Sequence, residues 1–186
     1  WEIILRIKAI HLSSPAMEKL IAALLPPASL WDGHSGNIDA VQHHIPTSGP
    51  PVVTQPYRVG PAARASIDVE LKRMTEMDVI EPSEGPWASP VVLIPKPDGS
   101  VRFCVDYRRL NSVTAKDSYA LPRVDDSLDS LGGAQYFSTL DANSGYWQIA
   151  VNPADRDKTT FTTHRGIYRF KRLPFGLVSG PATFLS

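Results

Sequence analysis

Residues 91–105 constrain the fold of this chain most strongly, because their pattern predicts a β-hairpin. Two runs rich in β-branched and apolar residues, 91–94 and 101–105, flank the sequence LysProAspGly. An AspGly pair between such runs is the strongest short-range hairpin signal, since it accepts the φ angles of a tight turn. Lys96 lies at the hairpin end and Arg102 lies early in the returning strand. The sequence therefore predicts one ribbon that carries both cations.

A stretch that begins at Pro61 predicts an amphipathic helix. Proline suits a first helical position, where its missing N–H group would have no partner in any case. Ile67, Leu71 and Met74 recur at helical spacing and define one apolar face. The GluPro pair at 81–82 is expected to end the helix. We interpret it as a surface helix that packs on a sheet.

A second, short helix is predicted over residues 123–131. Its apolar residues Val124, Leu128 and Leu131 recur at intervals of three and four. The GlyGly pair at 132–133 supplies the C-terminal stop, because glycine readily adopts the left-handed conformation that closes many helices.

Short strands and a second hairpin are predicted in the C-terminal half. An apolar β-type run over 135–140 leads to Asp141, and a further strand is predicted near 147–151. A turn at AsnProAlaAspArgAsp is expected after it, and we interpret Asp155 and Asp157 in that turn as a solvated charge pattern. The second hairpin has strands at 158–163 and 167–172, joined through HisArgGly. Helices that alternate with hairpins in this way predict an α+β fold.

The N-terminal third predicts less regular structure. Residues 1–30 contain one candidate amphipathic helix, with Ala16, Leu20, Ala23 and Leu24 at helical spacing. Residues 31–62 are rich in Gly, Pro, His and Ser, and we interpret them as an extended linker or arm. Zinc ligands usually lie at i and i+4 on a helix or pair across a turn. We therefore interpret the neighbouring His43 and His44 as solvent-facing loop residues.

Composition narrows the class of protein. An apolar content of 42% with 20% charged residues is typical of a soluble globular chain, and no apolar run reaches membrane-spanning length. The single Cys104 excludes a disulfide framework and a cysteine-based zinc site. A net charge of zero argues against a uniformly basic nucleic-acid binder. Two local clusters, Arg108–Arg109 and Lys171–Arg172, are candidates for phosphate contacts or for a solvated surface.

Four residues have the side chains that nucleotidyl transfer requires. The displacement uses two divalent metal ions, which are held by carboxylates on rigid elements such as the predicted strand before Asp141. Lys96 and Arg102 are suited to a triphosphate, the first as a point charge and the second as a planar fork. The bulk of Tyr146, below a sugar, would exclude a 2′-hydroxyl group. The residues alone do not bring these four side chains together.

Five motifs, in a fixed order, resemble those of a known family, and this resemblance implies where these four side chains lie. The motifs are ValValLeuIleProLysProAspGlySerValArgPheCysValAspTyrArgArgLeuAsn at 91–111, TyrAlaLeuProArgValAspAsp at 119–126, TyrPheSerThrLeuAspAlaAsnSerGlyTyrTrpGlnIle at 136–149, AspArgAspLysThrThrPhe at 155–161 and LeuProPheGlyLeu at 173–177. This series resembles the reverse transcriptase of gypsy-type long-terminal-repeat retrotransposons. The resemblance covers roughly three quarters of the chain, from about Ile45 onward.

The resemblance implies the fingers and the first part of the palm of a right-hand polymerase, within the α+β class. An N-terminal helix and linker region would occupy 1–45, and the reverse transcriptase domain 46–186. The implied fingers cover about 46–115 and 149–178, and the implied partial palm covers about 116–148 and 179–186. The chain is expected to be truncated before the second catalytic motif.

The same resemblance implies a role for each site residue. Asp141 would be a catalytic carboxylate and metal ligand, with the backbone carbonyl of Ala142 as a further ligand. Lys96 and Arg102 would bind the deoxynucleoside triphosphate. Tyr146 would select deoxyribonucleotides by bulk. Phe175 and Gly176 would line the nucleotide pocket. Gln148 and Pro181 would support the template and primer.

The implied cofactor is a pair of Mg²⁺ ions, with Mn²⁺ as a substitute. The implied partners are an RNA or DNA template with its primer, deoxynucleoside triphosphates, and the rest of a retrotransposon polyprotein, including palm, thumb, ribonuclease H and integrase. No membrane partner is implied, and the implied location is cytoplasmic virus-like particles.

Two departures from the family pattern bear on activity. SerGlyPro at 179–181 stands where relatives usually have AsnAlaPro, at the start of a helix predicted near Pro181. The family's aromatic-X-Asp-Asp motif is absent, and the pair Asp125–Asp126 belongs to the preceding helix. Since one Asp cannot hold two Mg²⁺ ions, we expect the isolated fragment to be inactive. The alternatives are a decayed or host-retained remnant that only binds nucleic acid, and an interaction domain without a nucleic-acid role.

Overall fold

A computed structural model describes residues 15, 19, 36–97, 99, 101–117, 123–134, 142 and 144–185. The chain divides into two compact units. The smaller comprises Trp1–Gly36 and Pro122–Asn143, and the larger comprises Asn37–Leu121 and Ser144–Ser186. The predicted N-terminal helix around 16–24 and the predicted strand 135–140 lie outside the described residues, apart from the isolated helical position Lys19.

Seven strands, four α-helices and two 3-10 helices are found in the described residues. In chain order they are β1 (Ile38–His43), α1 (Pro61–Glu76), β2 (Ile80–Pro82), β3 (Ser89–Pro95), β4 (Val101–Val105), α2 (Arg108–Val113), α3 (Val124–Asp129), η1 (Gly145–Gln148), β5 (Ile149–Val151), η2 (Pro153–Thr159), β6 (Phe161–Thr163), β7 (Gly166–Phe170) and α4 (Gly180–Leu185). This mixture of helices and mainly antiparallel strands confirms the predicted α+β class.

A five-stranded sheet with the order β2-β7-β6-β3-β4 forms the centre of the larger unit. The predicted hairpin is confirmed, because β3 and β4 pair antiparallel with Ile94 opposite Arg102. The predicted second hairpin is also confirmed, although its first strand begins at Phe161 and not at residue 158. Residues 158–160 instead take part in or follow the 3-10 helix η2.

Helix α1 covers one face of this sheet, as its pattern predicts. Ile67, Leu71 and Met74 are buried in a core that includes Phe161 and Phe170. Full burial of each such side chain stabilises the fold by about 1.5–3 kcal/mol. The helix ends at Glu76, earlier than expected, because Asp78 adopts a positive φ of 55° and the following residues join the sheet as β2.

The expected linker at 31–62 contains an unpredicted strand. β1 pairs parallel with β5, with His43 opposite Val151, and it leads into the fully buried Ile45. The interpretation of His43 as a solvent-facing loop residue is wrong, because its side chain is fully buried, whereas His44 is exposed as expected. A local pattern could not indicate this pairing, since the partner strand lies more than a hundred residues away.

The strand expected near 147–151 begins later, at Ile149, because residues 145–148 form the 3-10 helix η1. The turn expected after it is the 3-10 helix η2. Our interpretation of the acids in that turn as a solvated charge pattern is wrong for Asp155. Its carboxylate accepts hydrogen bonds from the Ile45 backbone N–H at 3.1 Å and from Lys158 Nζ at 2.7 Å. Asp155 thereby fastens η2 to the segment after β1.

Helix α3 in the smaller unit confirms the short helix predicted over 123–131. The chain leaves it through a turn in which Gly133 has a φ of 81°, as the GlyGly signal indicates. Its apolar residues Val124, Leu128 and Leu131 are nevertheless exposed. In the described part of the chain, no helix has both the length and the apolar content needed to cross a membrane.

Candidate functional site

The hairpin β3–β4 has one buried face and one outward face. Leu93 and Phe103, which are directly paired, pack against the main hydrophobic core. Side chains alternate between the two faces of a sheet, so Ile94 and its partner Arg102 lie on the outward face. Arg102 is exposed, as is Lys96, which follows β3 by one residue. Within the described residues, neither cation lies within ion-pair distance of a carboxylate.

Three aromatic side chains form a second candidate surface. The rings of Tyr146 and Phe175 stack with centroids 4.9 Å apart and an interplanar angle of 13°. Phe184 of α4 meets Tyr146 from another side, at 5.0 Å between centroids. Phe175 is 60% exposed, so the stack has an open edge on which a flat or ring-shaped ligand can rest.

Gly180 lies directly against this aromatic stack. A Cβ atom added at this position would lie 3.5 Å from Cε2 of Tyr146, which is ordinary van der Waals contact. The helix predicted near Pro181 is confirmed, with Gly180 as its first residue and Pro181 exposed at its second position. The departure from AsnAlaPro to SerGlyPro therefore removes a methyl contact from Tyr146 and leaves the helix intact.

The turn that presents Phe175 is held by a side chain that sequence reasoning missed. The side-chain amide of Asn111 donates to the Gly176 carbonyl oxygen at 2.8 Å and accepts from the Val178 N–H at 3.0 Å. Gly176 has a φ of 93°, a conformation that glycine adopts without strain. One side-chain amide thus fixes both ends of the segment 176–178 through two hydrogen bonds.

The remaining predicted site residues are placed as follows. Gln148 is half-buried in η1, and Ala142 is an exposed residue of the smaller unit. Asp141 lies outside the described residues. No group of three or more His, Cys, Asp or Glu side chains in the described ranges is arranged to bind a metal ion. The described residues therefore do not supply a metal site.

The two basic clusters are mainly occupied by structural contacts. Arg108 forms an ion pair with Asp106 at 2.6 Å, and hydrogen bonds from Arg108 lower the Asp106 pKa to about 2. Arg109 donates to the Val53 carbonyl oxygen at 3.2 Å. Lys171 pairs with Asp78 at 2.6 Å. Arg172 donates to the Asn37 side chain. The cations of both clusters therefore already have partners within the fold.

A buried polar network joins His43 to α4 and to Ser179, the residue before it. His43 Nδ1 lies 2.8 Å from Thr183 Oγ1, and its Nε2 lies 3.4 Å from Ser179 Oγ. Burial lowers the pKa of His43 from 6.5 to about 4, with Asp155 opposing the shift and His44 adding to it. His43 is therefore neutral at pH 7 and joins β1 to α4. The HisHis pair was the only sequence signal for it.

Comparison with known proteins decides the family. Residues 94–186 match the family model described as reverse transcriptase (RNA-dependent DNA polymerase), which covers half of the chain. The chain belongs to the reverse transcriptase family. The end of β3, strand β4, the aromatic stack and the Asn111-bound turn lie within the matched residues.

A relative from a retrotransposon and two solved structures extend this result. The chain is 40% identical over 140 residues to the retrovirus-related Pol polyprotein from transposon 412 of Drosophila melanogaster, covering 72% of this chain and 11% of that protein. The native prototype foamy virus protease-reverse transcriptase matches 94% of this chain and 24% of its own, with a TM-score of 0.80 and 26% identity.

The foamy viral protease-reverse transcriptase in complex with an RNA/DNA hybrid also shares the fold, with a TM-score of 0.75 and 22% identity. It matches 94% of this chain and 24% of its own. The chain thus spans about a tenth of the length of the transposon relative and about a quarter of these viral chains. The predicted polymerase fold is confirmed, and the chain corresponds to part of a reverse transcriptase.

Proposed function

We propose that this chain is the nucleotide-selecting segment of an RNA-directed DNA polymerase from a gypsy-type long-terminal-repeat retrotransposon polyprotein. The complete enzyme would add deoxynucleotides to a primer on an RNA or DNA template. The order of the five motifs supports the gypsy-type assignment, and the match to the transposon 412 polyprotein is consistent with it. Virus-like particles in the cytoplasm are the proposed location.

The observation that carries this proposal is the Tyr146–Phe175 stack. A tyrosine ring that packs at 4.9 Å on a second aromatic ring cannot turn aside without losing that contact. Tyr146 is therefore suited to a steric gate against the 2′-hydroxyl of a ribonucleotide. Phe175 and Gly176 would form the adjoining wall of the sugar pocket, and Gln148 and Pro181 would support the template and primer.

The cationic hairpin supports the same proposal. Lys96 and Arg102 have no carboxylate partner in the described ranges, so binding an anion would not require an existing ion pair to break. We propose that they hold the triphosphate of the incoming nucleotide. Arginine suits this role because its guanidinium group donates two parallel hydrogen bonds to phosphate oxygens.

We propose that Asp141 and the backbone carbonyl of Ala142 bind the metal ions of the complete enzyme. Two Mg²⁺ ions, or Mn²⁺ ions in their place, would neutralise the charge of the transferring phosphoryl group. One carboxylate cannot hold two such ions, so the complete site requires further acids. The described residues do not form this site.

The steric gate is tested by the substitution Tyr146→Val in the full-length polymerase that contains this segment. Removing the ring relieves a clash worth about 1–3 kcal/mol, so ribonucleotide incorporation relative to deoxynucleotide incorporation should rise about 5- to 150-fold. The matched control is Tyr146→Phe, which keeps the ring and should leave the ratio unchanged. An unchanged ratio in Tyr146→Val would contradict the assigned role.

Nucleic-acid binding without synthesis is the second candidate function. The exposed Lys96 and Arg102, which have no carboxylate partner among the described residues, favour it, since phosphate contacts alone give salt-dependent binding. A gel-shift titration of the chain with single-stranded and double-stranded nucleic acid tests this function. Binding that weakens with salt, in a full-length protein that extends no primer, would support this candidate over the polymerase.

A further inference from the structure

The most specific unassigned feature of the site is the side chain of Asn111. It lies in α2, outside the loop that carries Phe175 and Gly176. Its amide makes one hydrogen bond to Gly176 and one to Val178, at 2.8 and 3.0 Å. Among side chains as short as this one, asparagine supplies a strong donor and a strong acceptor on adjacent atoms. Aspartate has the same shape and could only accept.

Helix α2 gives Asn111 a rigid base. The neighbouring Leu110 is fully buried, and the backbone N–H of Asn111 donates to the Tyr107 carbonyl oxygen at 2.7 Å. The hydroxyl of Tyr107 is itself buried and donates to the Thr159 carbonyl oxygen at 2.8 Å. Helix α2, which carries Asn111, is thus packed on the core of the larger unit. The hydrogen bonds of Asn111 therefore connect the turn to a well-packed element.

Besides Asn111, the turn is held by Leu177, which lies between the two bonded residues and is buried in the core. Phe175 is mainly exposed, and its ring contact is with Tyr146. Gly176 has no side chain, and a Cβ atom there would be no closer than 3.7 Å to its nearest neighbours, Tyr107 and Val105. Leu177 anchors the centre of the turn, and the two hydrogen bonds of Asn111 fix the backbone on either side of it, at Gly176 next to Phe175 and at Val178.

We propose that Asn111 is a positioning residue for nucleotide selection, which keeps Phe175 stacked on Tyr146 without touching the nucleotide itself. This inference rests on the proposed function, because Tyr146 and Phe175 form the sugar pocket only in a polymerase. Loss of the Asn111 hydrogen bonds would free the turn, let Tyr146 shift, and admit ribonucleotides. The ligand class concerned is the deoxynucleoside triphosphate.

The first test compares Asn111→Asp with wild type in the full-length polymerase. The substitution removes the donor and places a carboxylate oxygen against the Gly176 carbonyl oxygen. We expect the KM for deoxynucleotide to rise and the discrimination against ribonucleotide to fall, each by about 5- to 10-fold, with a smaller change in kcat. The matched control is Ser112→Ala, because the Ser112 hydroxyl bonds only within its helix, to the Arg109 carbonyl oxygen at 2.7 Å.

A second measurement needs no polymerase activity. Hydrogen exchange of the Val178 backbone N–H in this chain should accelerate about 5- to 10-fold in Asn111→Ala, which removes the acceptor of that N–H, but not in Ser112→Ala. Asn111→Ala removes both hydrogen bonds without adding a charge, so it serves if the aspartate variant does not fold. Unchanged exchange at Val178 would overturn the positioning role.

The two measurements distinguish a failure of the positioning role of Asn111 from a failure of the proposed polymerase function. If the wild-type polymerase extends no primer, the proposed function fails, and Val178 exchange alone decides whether Asn111 holds the turn. If the polymerase is active and Asn111→Asp keeps wild-type KM and ribonucleotide discrimination, the inference is overturned while the function stands. A loss of discrimination in Asn111→Asp with normal behaviour in Ser112→Ala supports the inference.

Discussion

The hairpins β6–β7 and β3–β4 of the larger unit use their cations in opposite ways. In β6–β7, Arg165 donates two hydrogen bonds to Asp68 of α1, at 2.9 and 2.8 Å. Arg169 binds both Glu81, at 2.8 Å, and Asp157, at 2.5 Å. The Arg165 hydrogen bonds also hold the Asp68 pKa below its usual value. These cations join the hairpin to neighbouring elements.

The hairpin β3–β4 leaves its cations unpaired within the described residues. Lys96 and Arg102 lie beside the exposed Ile94 on the outward face of the ribbon. In β6–β7, by contrast, Arg165 and Arg169 each have a carboxylate partner. The comparison teaches that the two hairpins differ in the partners of their cations: the arginines of β6–β7 bind carboxylates, whereas Lys96 and Arg102, which have no carboxylate partner in the described residues, are the ones that we propose bind a ligand.

The largest effect that tests this comparison comes from Arg102→Gln. A charge-assisted hydrogen bond to a phosphate contributes about 1.5–3 kcal/mol, so the KM for deoxynucleotide should rise about 10- to 100-fold in the full-length polymerase. The unfolding midpoint should stay within about 1 °C of wild type, because surface positions without partners contribute little to stability.

Arg165→Gln is the matched control from the other hairpin. It removes the ion pair with Asp68, so the unfolding midpoint should fall while the KM for deoxynucleotide stays at its wild-type value. The proposed difference between the hairpins is contradicted if Arg102→Gln lowers the unfolding midpoint while Arg165→Gln raises the KM, or if both substitutions raise the KM equally.

A smaller effect should come from pH, through the buried His43. Its pKa is about 4 in the folded chain and about 6.5 in the unfolded chain. Between these values the unfolded state binds more protons, so folding free energy is lost as pH falls from 6.5 toward 4. We expect the free energy of unfolding to fall by about 2 kcal/mol between pH 7 and pH 5 from this residue.

The pH effect is measured by urea unfolding at several pH values, in the chain and in His43→Gln. Glutamine does not titrate, so the fall between pH 7 and pH 5 should be about 2 kcal/mol smaller in that variant. This result would place His43 with the structural residues of β6–β7. An equal fall in both chains would remove His43 as the titrating group.

The local elements of the fold could be predicted from the sequence, and the long-range contacts could not. AspGly between β-branched runs and the spacing of Ile67, Leu71 and Met74 are local signals, and both elements formed as predicted. Strand β1 was missed because its partner β5 is distant in sequence and its residues resemble a linker. The 3-10 helix η2 was missed because Asp155, within it, accepts a hydrogen bond from the backbone N–H of Ile45, which lies 110 residues earlier in the chain.

The candidate site shows the same division. Tyr146, Phe175 and Gly176 belong to motifs that the resemblance identifies, and the structure brings the two aromatic rings into contact. Asn111 also lies in such a motif, but no local pattern reveals that its amide bonds to a turn 65 residues later. The placement of Asp141 stays a prediction, since that residue lies outside the described ranges.

The most direct test of the central claim is primer extension by the full-length polymerase, with Mg²⁺, an RNA template and all four deoxynucleotides. Wild type should extend the primer, and Asp141→Asn should lower the extension rate by about 1,000-fold or more, because a neutral amide is a much poorer Mg²⁺ ligand. The control Asp117→Asn, an exposed aspartate, should retain activity. Undiminished extension by Asp141→Asn, or no extension by wild type, would contradict the account.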